Sequence, residues 1–250
     1  MENLLKEIND AKEAIKNIPY AKKNKYRDLQ LSEYETLPLE DRELIIELSP
    51  YYRRVKKALK KYNTALKWQN KMNDAKNKLS KLHERVTNST KLFAMDLEMY
   101  EQNGDITEVG VSIWENEELT NYHFVVAETY DLRNGRNVPD HKDNFLFGES
   151  ELLPLKDIES KVYNLVQGTD YLVGHAFGND KHFLTQSGYF GNTQVLDTQT
   201  YAPFYLLEND RHSLKRIVLG TLKEEPQCLH NGGNDAYYTM RSLLKMAGVL

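Results

Sequence analysis

The order of hydrophobic and polar residues from position 91 onward predicts strands at first. Lys91–Glu98 is an apolar run that ends in carboxylates, which is typical of a buried central strand. Apolar residues alternate with polar ones over 105–114 and again over 121–127, and the polar segment 115–118 separates the two runs. These three predicted strands should form an antiparallel meander with a tight turn at 115–118.

The pattern after position 150 changes to helices interleaved with short strands. We expect helices at 155–166, 180–187, 213–219 and 234–246, and strands at 171–176 and 194–197. With the meander, this order predicts an α/β fold: a mixed five-stranded sheet flanked by helices. The segment 131–149 is rich in turn residues and aromatics, so we predict a long loop of functional importance there.

Residues 1–90 are predicted to form an N-terminal helical extension. Helical spacing occurs at 4–15, and Pro38 and Pro50 bracket a second short helical candidate. The segment 51–86 lacks both Gly and Pro, and its later apolar residues alternate spacings of four and three. We therefore predict two parts, an arm at 1–90 and a folded domain at 91–250, with the arm's helices available for a protein partner or self-association.

Composition indicates the compartment and excludes several kinds of site. The 250-residue chain is 40% hydrophobic with a mean hydropathy of -0.67, and it has no apolar run long enough for a membrane span. Its N-terminus lacks a signal-peptide pattern. The single cysteine, Cys228, excludes an internal disulfide and a cysteine-based zinc site. We expect an intracellular and most simply cytoplasmic protein that does not bind membranes.

Charge is distributed unevenly along the chain. Residues 1–90 contain 20 Lys and Arg against 13 Asp and Glu, whereas 91–250 contain 13 against 24. A basic arm beside an acidic domain is compatible with a nucleic-acid enzyme, and a solvated helix surface gives the same pattern. Six basic residues of the arm form a candidate phosphate-contacting cluster: Arg53, Arg54, Lys56, Lys57, Lys60 and Lys61.

Five residues carry the candidate chemistry. Asp96 and Glu98 project from the same side of the first strand, and two adjacent carboxylates are costly unless a cation lies between them. Asp180 opens a helix, and His230 and Asp235 precede and open the last one. Taken singly, each has an ordinary alternative as a solvated strand end, a helix cap or a packing residue. Asp197 ends a strand and is a rival ligand; Gly232 and Gly233 are expected to give a sharp turn that positions His230.

Together these residues resemble the DEDDh 3′–5′ exonucleases, which have a ribonuclease-H-like fold. Asp96-x-Glu98 matches their first motif, Asp180 the second, and His230-x-x-x-x-Asp235 the third. The resemblance implies that Asp96, Glu98, Asp180 and Asp235 hold two Mg²⁺ or Mn²⁺ ions and that His230 is the general base. It also implies that Met99, Tyr100 and His175 contact the substrate.

The resemblance covers 91–250 and leaves the arm unexplained. The segment from Tyr122 through Arg133 to Phe147 looks like a subgroup of uncharacterised and fungal proteins. In the second motif, Ala176 and Asn179 replace the usual Asn and Phe, which affects packing and substrate contacts rather than the metal ligand.

The expected activity is 3′–5′ exonucleolytic cleavage of single-stranded RNA or DNA with release of nucleoside monophosphates, and we favour RNA or short strands. One alternative is a catalytically decayed protein of this fold that binds nucleic acid or a partner. Another is an endonuclease or transferase that shares the fold. Stepwise release of mononucleotides distinguishes the exonuclease from all of these.

Overall fold

The structure is a computed structural model that describes the backbone of residues 39–189 and 191–250. Side chains are described from residue 60 onward, except those of residues 62 and 190. The chain divides into two units, Met1–Met72 and Asn73–Leu250. The predicted helix at 4–15 lies outside the described residues. No helix among the described residues is long and apolar enough to cross a membrane.

The first described element is one long helix, α1, at Leu39–Thr87. The expectation that Pro50 ends a short helix is wrong, because a proline removes only one backbone donor and the helix runs on through it. The alternating apolar residues at the end of α1 are buried in the core of the Asn73–Leu250 unit, namely Ala75, Leu82 and Val86. This spacing of four and three therefore reflects packing against the domain core, while Trp68 and Met72 are exposed.

A mixed sheet forms the centre of the Asn73–Leu250 unit. Its strands are β1 (Lys91–Met99), β2 (Ile106–Glu115), β3 (Glu118–Val126), β4 (Ser150–Leu153), β5 (Tyr171–Gly174) and β6 (Val195–Asp197). Their order across the sheet is β4-β3-β2-β1-β5-β6. The pairs β1–β2 and β2–β3 are antiparallel, and the pairs β3–β4, β1–β5 and β5–β6 are parallel.

Five further α-helices accompany the described sheet. They are α2 (Leu155–Val166), α3 (Gly178–Gln186), α4 (Thr198–Leu206), α5 (Leu214–Thr221) and α6 (Gly232–Met246). The predicted meander and the α/β ribonuclease-H-like layout are confirmed, but the sheet has six strands instead of five. The missed strand, β4, has only four residues and lies at the sheet edge, so its sequence pattern is too short to show an alternation.

The pleat of β1 separates two hydrophobic cores. Leu92 and Ala94 belong to the core that contains the buried residues of α6 and the end of α1. Phe93 and Met95 belong to the other core, with Ile158 and Phe183 among its members. Because side chains alternate along a strand, Asp96 and Glu98 follow Leu92 and Ala94 on the α6 side of the sheet.

Candidate active site

The C-terminal end of β1 presents two carboxylates on the face toward α6. Asp96 pairs with Gly110 of β2 and Glu98 with Glu108, and a bulge follows Glu98. Burial, followed by the negative charge of Asp235, raises the pKa of Glu98 to about 9. The same two causes raise the pKa of Asp96 well above its usual value. The fold therefore holds acidic groups together at a site where isolated negative charges are unfavourable.

Asp180 joins this pair from the first turn of α3. The N-cap of α3 is Phe177, so Asp180 is not the capping residue. The backbone amides of Asp180 itself and of Leu97 in β1 face its buried carboxylate and act to lower its pKa. Burial nevertheless raises the pKa of Asp180 to about 7, and the charge of Asp197 acts in the same direction. Asp180 therefore lies near the end of the central strand.

The fourth carboxylate, Asp235, lies in the first turn of α6. Asn231 caps this helix with its side chain, which accepts a hydrogen bond from the Asn234 amide at 3.1 Å. Asp235 Oδ2 accepts a hydrogen bond from the His230 amide at 3.2 Å. Asp235 Oδ1 is buried and has no hydrogen-bond partner among the described residues. Burial raises the pKa of Asp235 to about 7.

His230 lies at the solvent side of these carboxylates. Its Nδ1 is 3.9 Å from Glu98 Oε1, and its side chain is 45% exposed against 12% for Glu98. One ligand atom from each of Glu98, His230 and Asp235 lies within 4.8 Å of the other two. Burial, and secondly the nearby His141, lower the pKa of His230. The ring is therefore neutral at pH 7 and able to accept a proton from a water molecule.

The two glycines after His230 have a different role from the one that we expected. The turn itself is made at His230, whose φ is 67°, whereas Gly232 and Gly233 begin α6. A β carbon on Gly233 would meet the Phe145 ring at 2.6 Å, and one on Gly232 would lie 3.1 Å from the Gly110 nitrogen. Both positions therefore need glycine because α6 packs closely against its neighbours. The expectation of a glycine turn is wrong.

The arrangement fits hard divalent cations. Asp96, Glu98, Asp180 and Asp235 offer only oxygen atoms, which Mg²⁺ and Mn²⁺ prefer. The pKa values of all four carboxyl groups are raised, because the groups lie close together in a poorly solvated place. A bound cation would offset this cost. The unpartnered Asp235 Oδ1 adds a buried acceptor that a cation would satisfy.

Comparison with known proteins identifies the family. Residues 91–246 match the DEDDh C-terminal-domain model, which is described as "DNA polymerase III subunit epsilon-like, C-terminal domain". The chain belongs to this DEDDh family. It therefore carries a domain of a nuclease family.

Similar chains occur in two yeasts. "Uncharacterized protein YDR514C" of Saccharomyces cerevisiae is 32% identical over 202 residues, covering 64% of this chain and 41% of that protein. "Uncharacterized nucleolar protein C2C4.08" of Schizosaccharomyces pombe is 33% identical over 168 residues, covering 63% of this chain and 69% of that protein. "Good for full DBP5 activity protein 2" of Saccharomyces cerevisiae is 32% identical over 199 residues, and the chain covers 35% of its length. The expected likeness to uncharacterised fungal proteins is confirmed.

The DEDDh domain contains a fifth buried carboxylate that the sequence analysis missed. Glu108 Oε2 lies 2.9 Å from His123 Nε2 in a buried contact and accepts a hydrogen bond from the Gly232 amide at 3.1 Å. His123 Nδ1 is in turn 2.7 Å from Ser150 Oγ. Glu108 thus joins β2 and β3 to the start of α6. A charged residue inside the apolar run of β2, opposite Glu98, was the signal for it.

The loop at 131–149 is bound to the end of β1. Asn134 donates a hydrogen bond to the Met99 carbonyl at 3.0 Å and accepts one from the Glu101 amide at 2.9 Å. The Glu101 carboxylate accepts hydrogen bonds from the backbone amides of three consecutive loop residues, 136 to 138. These hydrogen bonds lower the pKa of Glu101. The predicted loop therefore borders the carboxylate site and is held there through backbone contacts.

The remaining predicted site residues lie in different surroundings. The His175 ring bonds to α4 instead of the carboxylates, with Nδ1 2.9 Å from Thr198 Oγ1. Tyr100 begins a turn in which its amide donates to the Asp105 carbonyl at 2.8 Å. Asp197 is the N-cap of α4, and its side chain accepts a hydrogen bond from the Gln199 amide at 2.8 Å. Its observed role is therefore to cap this helix.

The basic cluster of the arm is only partly described. Lys60 and Lys61 are exposed on α1. The side chains of the other four, Arg53, Arg54, Lys56 and Lys57, lie outside the described residues.

Proposed function

We propose that this chain is a metal-dependent 3′–5′ exonuclease that hydrolyses single-stranded RNA or DNA and releases nucleoside monophosphates. The observation that carries the proposal is the convergence of four carboxylates from β1, α3 and α6, two of them buried and two half-buried. A histidine whose pKa is lowered lies at their solvent side. Membership of the DEDDh family supports it. We propose RNA as the preferred substrate.

In this proposal Asp96, Glu98, Asp180 and Asp235 hold two Mg²⁺ or Mn²⁺ ions. When bound, such ions would supply activation of a water molecule and stabilisation of the charge on the leaving 3′ oxygen. The chain's own part is to fix the carboxylates before substrate binds. The His230 amide holds Asp235 by a hydrogen bond, which limits the reorganisation of this carboxylate when a cation enters.

His230 acts as the general base. Its half-exposed ring reaches solvent, and its distance of 3.9 Å from Glu98 places it beside the carboxylates. The neutral ring takes a proton from the attacking water. The His230 backbone also donates a hydrogen bond to Asp235, which ties the position of the base to that of one proposed metal-binding carboxylate.

The arm is proposed to contribute phosphate contacts through its basic cluster, or a surface for a protein partner or for self-association. The division into an arm at 1–90 and a catalytic domain at 91–250 belongs to the same proposal. A cytoplasmic location also stays a prediction. The name of the Schizosaccharomyces pombe relative describes that protein as nucleolar, so we propose a nuclear location as the alternative.

The test is digestion of single strands labelled at the 5′ end, using matched RNA and DNA oligonucleotides with Mn²⁺. We expect a ladder that shortens from the 3′ end with nucleoside 5′-monophosphate as the product. The Asp96→Asn variant should be inactive. His230→Ala should stay folded and keep Mn²⁺ binding while turnover falls by about two to four orders of magnitude.

Three results would contradict parts of this proposal. Internal fragments without mononucleotides would indicate an endonuclease. Binding of the strand without any cleavage would indicate a decayed, nucleic-acid-binding domain. A clear preference for DNA would reverse the proposed preference for RNA.

A further inference from the structure

A second histidine, His141, lies beside the general base. Its carbonyl accepts a hydrogen bond from Asn231 Nδ2 at 3.0 Å, and Asn231 directly follows His230 in the chain. Asn231 therefore connects the two histidines: its side chain binds the His141 carbonyl, and its backbone continues directly from His230. The electrostatic effect of His141 on His230 agrees with this proximity.

The backbone of His141 is firmly fixed. The neighbouring Lys142 is buried, and its carbonyl accepts a second hydrogen bond from Asn231 Nδ2 at 3.1 Å. The Lys142 ammonium donates to three carbonyl groups at the start of the loop and just before it, those of Thr129, Tyr130 and Leu132. This arrangement places His141 at a defined position that does not depend on its own ring.

The His141 ring is available for a ligand. It is half-buried and makes no hydrogen bond to any other described residue. His123, which lies behind the site, is different because both of its ring nitrogens have partners. A neutral imidazole carries one N–H donor, and the His141 ring lies close enough to His230 to affect the pKa of that residue.

A phosphate group needs such a donor. The carboxylates of the site repel an anionic substrate, and a hydrogen bond from an imidazole offsets part of that repulsion. His230 faces Glu98, whereas His141 lies on the loop side of Asn231. We infer that His141 binds the phosphate of the 3′-terminal nucleotide by donating a hydrogen bond to it. This inference rests on the proposed exonuclease function.

The experiment measures ligand binding separately from cleavage. Calorimetry gives the affinity for Mn²⁺ alone and then for a nucleoside 5′-monophosphate in the presence of Mn²⁺. His141→Ala should bind the monophosphate about 10- to 100-fold more weakly, as expected for a hydrogen bond to a charged group. Its Mn²⁺ affinity should not change. His141→Gln, which keeps an N–H donor, should recover part of the loss, and KM should rise more than kcat falls.

The control is His182→Ala, which removes an exposed imidazole from α3. It should bind the monophosphate like the unaltered protein. His141→Ala should also keep its melting temperature, because the contacts that fix this position use the backbone carbonyl.

The outcomes separate the two proposals. Unchanged monophosphate affinity in His141→Ala, or no monophosphate binding by the unaltered protein, overturns the role of His141. If the affinity of His141→Ala is unchanged but the unaltered protein cleaves oligonucleotides, the exonuclease proposal stands. An unaltered protein that binds Mn²⁺ and monophosphate but cleaves nothing contradicts the exonuclease proposal, while the loss in His141→Ala still reports the phosphate contact.

Discussion

Gly110 of β2 and Gly232 of α6 are in contact through their backbones. A β carbon on Gly110 would lie 1.8 Å from the Gly232 carbonyl oxygen, far inside the contact distance. Gly232 is also close to β1, because a β carbon on Gly232 would lie 3.2 Å from the Asp96 carbonyl oxygen. This close approach places the first turn of α6, with Asp235, over the carboxylates of β1.

Replacing Gly110 by alanine should therefore displace α6 from the sheet. The added methyl group meets backbone atoms, which cannot rotate away, so we expect a cost of at least about 3 kcal/mol in unfolding free energy. Residual folded protein should bind Mn²⁺ weakly. Denaturant unfolding measures the first effect and calorimetry the second.

Gly178→Ala is the matched control for this change. A β carbon there would have no neighbour within 4 Å, and the residue has no positive φ. Equal stability of the two alanine variants would show that the contact between Gly110 and Gly232 does not hold α6 in place.

The raised pKa values predict an unusual dependence of stability on pH. Folded Glu98 keeps its proton up to about pH 9, whereas the unfolded chain releases it near 4.5. Between these values the folded state binds more protons, so stability without divalent metal falls as pH rises. Asp180 and Asp235, with pKa values of about 7, act in the same direction.

We expect the melting temperature in a chelator to be at least about 4 °C lower at pH 8 than at pH 5.5. Glu98→Gln should reduce that difference, and Mn²⁺ should raise the melting temperature most at pH 8. A melting temperature that rises steadily with pH in the chelator, with no effect of Glu98→Gln, would contradict the assigned carboxylate environment.

Asp180 and Asp197 should behave differently when each is changed to asparagine. Asp180 lies in the carboxylate cluster, so its variant should lose at least about 100-fold in turnover, with partial recovery at high Mn²⁺. Asp197 caps α4, and an asparagine also caps a helix, so its variant should stay within about threefold of normal turnover. Single-turnover cleavage measures both. If Asp197→Asn were inactive and Asp180→Asn active, the third carboxylate would be Asp197.

The arm should contribute to the salt dependence of binding. Changing Lys60 and Lys61 to Glu removes two candidate phosphate contacts, which should lower the slope of log Kd against log salt by about 1.4 for a single strand. Fluorescence anisotropy with a long labelled strand gives this slope.

The control for the arm reverses Lys156 and Lys215 on the surface of the Asn73–Leu250 unit, where both are exposed. Its slope should not change. An unchanged slope in the arm variant as well would leave the arm as a surface for partner binding or self-association.

Long elements and ordered motifs were predictable from the sequence. β1 and the meander have clear periodicity over nine or ten residues each, and α6 has a clear start and stop. The short elements β4 and α4 were missed, since four residues show no alternation and α4 carries Pro203 inside it.

Parts of the site depend on contacts between distant segments, which no local pattern shows. Glu108 becomes important through its pairing with His123 and the Gly232 amide. His141 becomes important because Asn231, 90 residues later in the chain, binds its carbonyl. The burial of the end of α1 was also not predictable in full. A row of apolar residues on a helix indicates that this face is buried, but not which element it packs against.

The most direct test of the metal-dependent site is anomalous diffraction from a crystal containing Mn²⁺ and a nucleoside 5′-monophosphate. We predict two anomalous peaks roughly 4 Å apart, held by Asp96, Glu98, Asp180 and Asp235, with the His230 ring not ligated to either. A single peak ligated by Glu98, His230 and Asp235, or no peak at all, would contradict the two-metal account.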